Sequence, residues 1–490
     1  MGYLLPLVLV APLTAALCLP LGRTPWGARI SVAGAALLLA LALALAGRVL
    51  AGGPVLAARG WLHADALAAL LAAITGAVGL ASAWYARSYM AHEEQGHDAA
   101  GWAAGRFEAL FHLLLGSLVL AAVANNLGLL WIAIEASTLS SALLVGYYRR
   151  PGAVEAGWKY LILCSVGITL ALFATVLLYY SGVGHFAARS AGLQWTVLRD
   201  LAPQLEPRFV RLAFLFALVG YGTKAGLAPM HTWLPDAHSQ APTPVSALLS
   251  AALLAVALGA LLRFHALAVR CLGPAFSENL LVAFGLLSMA VAVPFLLIQS
   301  DYKRLLAYSS VEHTGFVVLA VGLGSPLALL GGLFHLATHA LGKTLAFLVG
   351  GSLKSAMGTA RMDRWSGVME SSAPLGVLFA VAGVALAGLP PLALFLSEWM
   401  VLIGGLRAGK TAAVIAALAM LAMVFAALAF HWTRMALGKP RADFRDPLPR
   451  DSHRPLWLLA ALLLVLGAWF PAPLHRLLLE AASAIRGDAP

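Results

Sequence analysis

Apolar runs of about 20 residues, the length a helix needs to cross a bilayer, recur from one end of this 490-residue chain to the other, each closed by a short polar stretch. The pattern predicts fourteen spans, at 3–22, 28–50, 65–88, 107–125, 127–147, 156–180, 209–228, 243–268, 279–299, 303–323, 326–350, 374–404, 411–435 and 455–473. The expected fold class is therefore an all-α polytopic membrane protein. The first run lacks a basic leading region and a small-residue cleavage pattern, so it is expected to be a retained helix.

Two spans are interrupted. The seventh carries Gly220, Gly222, Gly226 and Pro229, and the twelfth carries Gly383, Gly388, Pro390 and Pro391. Proline removes a backbone donor and glycine tolerates unwound geometry, so helices 7 and 12 are predicted to break inside the membrane. The freed backbone groups must then face protein or a water-filled cavity. Broken helices in corresponding places point to an inverted repeat with an ion path at the midplane. The expected organisation is N-terminal helices 1–3 (1–106), a first five-helix repeat of helices 4–8 (107–268), an inverted second repeat of helices 9–13 (279–437), and helix 14 with a tail (455–490).

Composition agrees with a membrane solvent: 61% of residues are hydrophobic, 11% are charged and the mean hydropathy is +0.88. Eighteen Lys and Arg residues fall near odd-numbered loops and ten near even-numbered ones. The positive-inside rule then places the odd loops in the cytoplasm and both termini outside, in a cell inner membrane. The net charge of +11 reflects this topology and contact with anionic lipid headgroups, and gives no reason to invoke nucleic acid. Cys18, Cys164 and Cys271 form no CxxC or CxxCH pattern, which leaves an iron–sulfur cluster, c-type haem or structural zinc unsupported. No GxGxxG motif is present either, so neither a cofactor nor a catalytic residue is expected.

The informative residues are those that lipid would reject. Glu135 lies in span 5, Lys224 in span 7, His313 in span 10, His335, His339 and Lys343 in span 11, and Glu398 in span 12. An ionised side chain at the bilayer centre costs about 3 kcal/mol on insertion scales, so each is a functional candidate by default. Residues 335, 339 and 343 are spaced i, i+4, i+8 and present two imidazoles and an ammonium on one stripe. Imidazole both donates and accepts protons near neutral pH, which suits a proton wire. Plainer roles compete with this one. A single His can be an interhelical hydrogen-bonder, a Glu and Lys can be a static ion pair, and His with Lys can hold a metal, although HxxxHxxxK is a poor zinc signature. Asp236 and His238, after the first break, are candidates for proton uptake or gating and equally for a turn or cap. Lys159 shares the uptake role, with an i, i+4 pair to Glu155 as its default.

These segments resemble the antiporter-like, proton-translocating membrane subunits of the complex I, group 4 membrane-bound hydrogenase and Mrp antiporter superfamily. The resemblance is carried by NNLGLLWIAIEASTLSSALLVGYYR (125–149), GTKAGLAPMHTWLPDAHSQAPTPVSALLS (222–250), DYKRLLAYSSVEHTGF (301–316) and FHLATHALGKTLAFLVGG (334–351). Within that superfamily, EAGWKYLILCSVGITLALFATVLLYY (155–180) is most similar to hydrogenase-4 component F. The likeness implies a non-catalytic, ion-translocating subunit of an oxidoreductase complex. Its partners would be other membrane subunits, a peripheral redox arm and the lipid bilayer, and the translocated ion would be the proton or, alternatively, sodium. It also implies transfer through Glu135, Lys224, His313, His339, Lys343 and Glu398, with His335 added from the stripe. One departure stands out, because many relatives carry a central lysine in span 8 where this chain has Ala255.

The expected mechanism pairs Glu135 with Lys224. A pair at about 4 Å in an effective dielectric near 20 is worth roughly 4 kcal/mol, comparable to the roughly 4 kcal/mol needed to move one charge against about 180 mV. Closing the pair would hold a proton on Lys224, and opening it would release the proton toward the histidines. The alternatives are a subunit of a multisubunit sodium/proton antiporter, a proton channel energising a soluble partner, and a purely structural anchor.

Overall fold

A computed structural model describes residues 2–21, 24–95, 104–186, 191–439, 444 and 446–486. Arg23, Arg189, Arg441, Arg445 and residues 487–490 of the expected tail lie outside them. The helices are α1 (Leu4–Leu21), α2 (Pro25–Gly52), α3 (Ala66–Gln95), α4 (Ala104–Val123), α5 (Leu127–Val145), α6 (Pro151–Ser181) and α7 (Trp195–Leu201). There follow α8 (Pro207–Ala225), α9 (Trp233–Gln240), α10 (Thr243–Leu248), α11 (Leu254–Leu272), α12 (Pro274–Ile298), α13 (Tyr302–Gly322) and α14 (Pro326–Met357). The series ends with α15 (Val368–Ser371), α16 (Ala373–Leu386), α17 (Ala393–Arg407), α18 (Thr411–Ala436), α19 (Arg454–Ala468) and α20 (Ala472–Arg486). A short antiparallel hairpin, β1 (Val55–Ala57) and β2 (Leu62–Ala64), joins α2 to α3.

The expected count of fourteen spans is not reproduced by length and composition. Among the described residues twelve helices are long and apolar enough to cross a membrane, or thirteen when a bent pair is counted as one. The shortfall has two causes. The predicted span 374–404 is cut into α16 and α17, each too short alone. The last span also ends early: α19 stops at Ala468 and the chain bends by 77° into α20. What the sequence pattern left as a tail is thus a helix, which buries Leu477, Leu478, Ala481, Ala482 and Ile485.

Both predicted breaks occur, and their freed backbone groups have partners. After α8 the chain turns at Gly226, whose φ of 77° lies in the left-handed region that glycine tolerates. There the Trp233 indole donates to Thr223 O at 2.8 Å, and the Ala228 amide donates to Ser288 Oγ on α12 at 3.0 Å. The second break, between Leu386 and Ala393, turns at Gly388 with φ 63°, and the Leu389 amide donates to Val384 O at 3.2 Å. Span 8 carries a further irregularity that no residue pattern announced, a π-helical turn at Leu249–Leu253 between α10 and α11.

Burial sorts the helices by depth in the bundle. The most apolar windows of Thr243–Leu272, α13 and α14 are 100% buried, whereas those of α6, α12 and α18 are 44%, 39% and 33% buried. The first set forms the protein-enclosed core and the second faces lipid. Where α12 crosses α13, a Cβ on Gly285 would lie 2.7 Å from Gly315 O. The close approach therefore requires glycine, as is usual where lipid supplies no hydrophobic drive for packing.

Arg263, one of the ten basic residues assigned to the even-numbered loops, is instead buried in α11 and forms a bidentate pair with Asp65, in which Nη2 donates to Oδ1 at 2.7 Å. Asp65 also caps α3 by accepting from the Ala68 amide at 2.9 Å, and the guanidinium lies 4.3 Å over the Trp195 ring. The clamp ties α3, α7 and α11 together. Beside it, burial pushes the His63 imidazole down to about 4, so it stays neutral at physiological pH. We expect Arg263→Ala to lower stability by about 3–5 kcal/mol, because it strands a buried carboxylate, and Arg263→Met with Asp65→Leu to recover most of that loss. Thermal unfolding of the purified protein in detergent checks both; equal melting of all three proteins would contradict the clamp.

Candidate functional site

The first polar group is built on α5, α6 and α8. Lys224 lies in the last turn of α8, two residues before the turn at Gly226, and is fully buried. Its ammonium donates to Thr138 Oγ1 at 2.9 Å and to the Tyr160 hydroxyl at 2.5 Å, and sits 4.6 Å from the Tyr160 ring centroid. The Tyr160 hydroxyl in turn lies 2.6 Å from Ser141 Oγ. Glu135 does not join this group. It is half-buried on α5, one turn before Thr138, and Oε1 accepts from Ser165 Oγ on α6 at 2.8 Å. The expected direct ion pair between Glu135 and Lys224 is therefore absent. Two neutral hydroxyls take two of the ammonium's three donors, while the carboxylate hydrogen-bonds to Ser165 on α6.

The second group is a connected file on α13, α14 and α17. His313 Nδ1 lies 3.0 Å from His335 Nε2, and His335 Nδ1 lies 2.9 Å from Ser397 Oγ. The His339 ring centroid is 4.8 Å from that of His313. Ser397 directly precedes Glu398, which is half-buried with its carboxylate against Gly388 in the second break. Lys343 is fully buried further along the α14 stripe and donates to Leu306 O at 2.8 Å. The predicted stripe of His335, His339 and Lys343 thus lines the enclosed core. His313, which no residue pattern pairs with a neighbour, is the hub of this file.

Asp236 and His238 are separated by the fold. Asp236 binds Arg304 of α13 at 2.6 Å and Lys159 of α6 at 3.5 Å, while Lys159 also pairs with Glu155 at 2.6 Å. This cluster is solvent-facing and clasps the two halves of the chain. His238 is buried and stacked on Phe347, with centroids 5.3 Å apart, and neither ring nitrogen has a hydrogen-bond partner. Because Phe347 follows Lys343 by one turn on α14, His238 approaches the second group from the Asp236 side.

Four polar residues were missed. Glu312 is fully buried beside His313, and its carboxylate comes within 3.4 Å of His313 Nδ1 without a hydrogen-bonding angle. Its lone negative charge inside an apolar helix was the signal. Tyr160 was hidden because a tyrosine in a membrane span is ordinary. Ser250 and Ser310, 2.7 Å apart and buried, join the π-helical turn of span 8 to α13. They supply a polar contact in the span where Ala255 leaves none, and serines carry no sequence signal of this kind. Among the described residues no cluster of three or more His, Cys, Asp or Glu is arranged to hold a metal.

A polytopic helical protein with titratable side chains linked across its enclosed core, and a helix broken beside each polar group, belongs structurally with ion-translocating membrane subunits. The chain is a member of the NADH:quinone oxidoreductase/Mrp antiporter transmembrane family, whose pattern matches residues 124–425. It is 38% identical over 408 residues to a hydrogenase-4 component F homolog of Methylacidiphilum infernorum, covering 83% of this chain and 85% of that one. A chain of the membrane-bound sulfane sulfur reductase, an archaeal respiratory membrane complex, superposes with a TM-score of 0.87 at 24% identity, covering 99% of this chain and 97% of that one. A chain of respiratory complex I from Thermus thermophilus with bound NADH gives 0.81 at 25% identity, covering 99% of each.

Glu135, Glu312 and Glu398, the carboxylates of the two polar groups, differ in access, which an apolar carbodiimide reports. Treatment of the purified chain in detergent is expected to modify Glu135 and Glu398 severalfold more than Glu312, as read by peptide mass spectrometry. Preferential modification of Glu312 would contradict the enclosure of the second group.

Proposed function

We propose that this chain is the proton-translocating membrane subunit of a multisubunit redox complex of the group 4 hydrogenase or complex I type. It couples a partner's redox reaction to proton movement along the buried axis. The observation that supports this most is the file from Ser397 through His335 to His313, with links of 2.9 and 3.0 Å. Each imidazole can take a proton at one nitrogen and give one up at the other, so a hydrogen-bonded pair passes a proton on by switching tautomers. Group 4 hydrogenase membership is favoured by the hydrogenase-4 component F homolog among the relatives.

In this reading Lys224 stores the proton. Its contacts are neutral hydroxyls, so its charge is stabilised without being cancelled, and modest shifts of α5 or α8 change the balance. Glu135, one turn before the Thr138 that binds the ammonium, acts on it through the field, and Ser165 fixes where that charge sits. The coupling is weaker than the roughly 4 kcal/mol of a contact pair at about 4 Å, so a movement of Glu135 toward Lys224 is the stroke that binds a proton. The Ser250 and Ser310 hydroxyls carry the path from the first repeat (107–268) to the second (279–437). Glu312, His313, His335, His339 and Lys343 receive the proton, and Glu398 passes it on. His238 is the uptake group for Lys343 from the cytoplasmic side, where Asp236, Lys159 and Arg304 hold the surface.

The half-buried carboxylates of Glu135 and Glu398 sit at lateral positions where adjoining membrane subunits of the complex cover them. The membrane is the cell inner membrane, with both termini outside, as the excess of Lys and Arg in odd loops favours.

Lys224→Ala and His335→Ala, each in the assembled complex in proteoliposomes, are expected to reduce proton transport by about tenfold or more, with subunit composition unchanged. One tenfold step corresponds to about 1.4 kcal/mol added to the transfer barrier. Transport at the wild-type rate by Lys224→Ala would refute the relay. Mass spectrometry of the co-purifying chains should find a nickel–iron or quinone-module subunit; finding only antiporter subunits would select the sodium/proton exchange alternative.

A further inference from the structure

The ends of α11, α12, α13, α14 and α20 on the side of the even-numbered loops enclose a cavity of about 300 Å³ that the relay does not use. Its floor is deeply buried, with His265 and Leu329 each 3% exposed and Val321 5% exposed. Its mouth is open at Arg486. Glu278, half-buried, forms one wall with its carboxylate against Gly324, and Ser325 at the start of α14 completes the lining.

His265 makes this more than a packing defect. Its Nδ1 has no hydrogen-bond partner, and an unmet buried polar atom costs about 1–3 kcal/mol. Nδ1 is sealed from solvent, whereas the cavity has room for several waters at roughly 30 Å³ each. Position makes the cavity relevant to transport. Leu329 precedes His335 by six residues on α14, and Val321 follows His313 by eight on α13. At 1.5 Å per residue the floor is about 9 to 12 Å from the histidine file along the helix axes. Buried apolar side chains, Val317, Val318, Leu330 and Leu333, fill the interval.

We propose that this cavity is the outer-side proton outlet of the second repeat, with His265 taking the proton at the floor and Glu278 handing it to bulk water. The proposal rests on the relay and orientation given above. A proton arriving from the file binds His265 Nδ1 while the proton on Nε2 leaves through cavity water to a Glu278 carboxylate oxygen, and from there to the outer solution. Only N–H and O–H bonds are exchanged, and one proton leaves for each one taken up. Arg486 at the mouth, and Lys410, which donates to Asn279 Oδ1 at 3.4 Å beside Glu278, give the rim a positive charge that favours departure of the proton. The apolar interval limits return flow, because a proton crosses it only when it wets.

The test uses the intact complex in proteoliposomes, with Ser325→Cys placed in a Cys271→Ser background and a membrane-impermeant maleimide as the probe. Labelling from the outer side is expected, followed by a fall in proton transport of about tenfold or more, the scale of a lost proton-transfer group. Full transport after complete labelling, or labelling from the cytoplasmic side alone, overturns the outlet. Glu278→Gln should slow transport to a similar degree and Glu278→Asp should restore most of it; wild-type transport by Glu278→Gln also overturns the outlet. Lys224→Ala is run in parallel to separate the two ideas. If it transports normally the relay fails and the outlet with it, whereas an inactive Lys224→Ala beside a fully active labelled protein removes the outlet alone.

Discussion

Hydrocarbon cannot solvate a charge or an open backbone group, and the arrangement of this protein follows from where it hides both. Unsatisfied polar groups in the bilayer cost several kcal/mol each. The broken segments are accordingly placed where neighbours reach them, with Trp233 and Ser288 bonding to the first break. The same constraint selects the helices that carry titratable side chains. Glu312, His313, His335, His339 and Lys343 all lie on α13 and α14, whose spans are wholly enclosed by protein. The lipid-facing helices α12 and α18 expose mainly apolar side chains and confine their exposed polar ones to the helix ends.

The two polar groups solve the solvation problem differently, and the difference bears on function. Lys224 is held by hydroxyls, which stabilise an ammonium without fixing it. The histidine file is held by imidazoles that serve equally as donors and acceptors, so a proton can pass without leaving a stranded charge. A direct ion pair at Lys224 would be a strong trap, costly to open. With Glu135 held by Ser165 away from the ammonium, its influence is weaker and adjustable, which suits the cycle proposed above. Between the groups, the π-helical turn and the Ser250 to Ser310 contact keep the centre of the bundle polar at low electrostatic cost, since a buried hydroxyl pair carries no net charge.

Membership of a family whose solved members are chains of larger membrane complexes fits the half-buried state of Glu135 and Glu398. The Asp236 cluster with Lys159 and Arg304 has a different character. It is solvent-facing, screened, and suited to holding α6, α9 and α13 in register.

Chain chemistry alone settled the membrane solvent, most of the spans, both breaks and the candidate axis, because each depends on local composition: run length, proline and glycine positions, and charges out of place in apolar sequence. It also supplied all seven relay candidates by residue type. It did not settle which of them touch. The absence of a Glu135 and Lys224 pair, the central position of His313, the burial of Arg263 against Asp65, the roles of Tyr160 and Glu312, and the helical character of α20 were decided by packing. Those outcomes depend on helix rotation and on contacts between residues far apart in the chain, such as Lys224 with Thr138, 86 positions away, and local periodicity does not encode them.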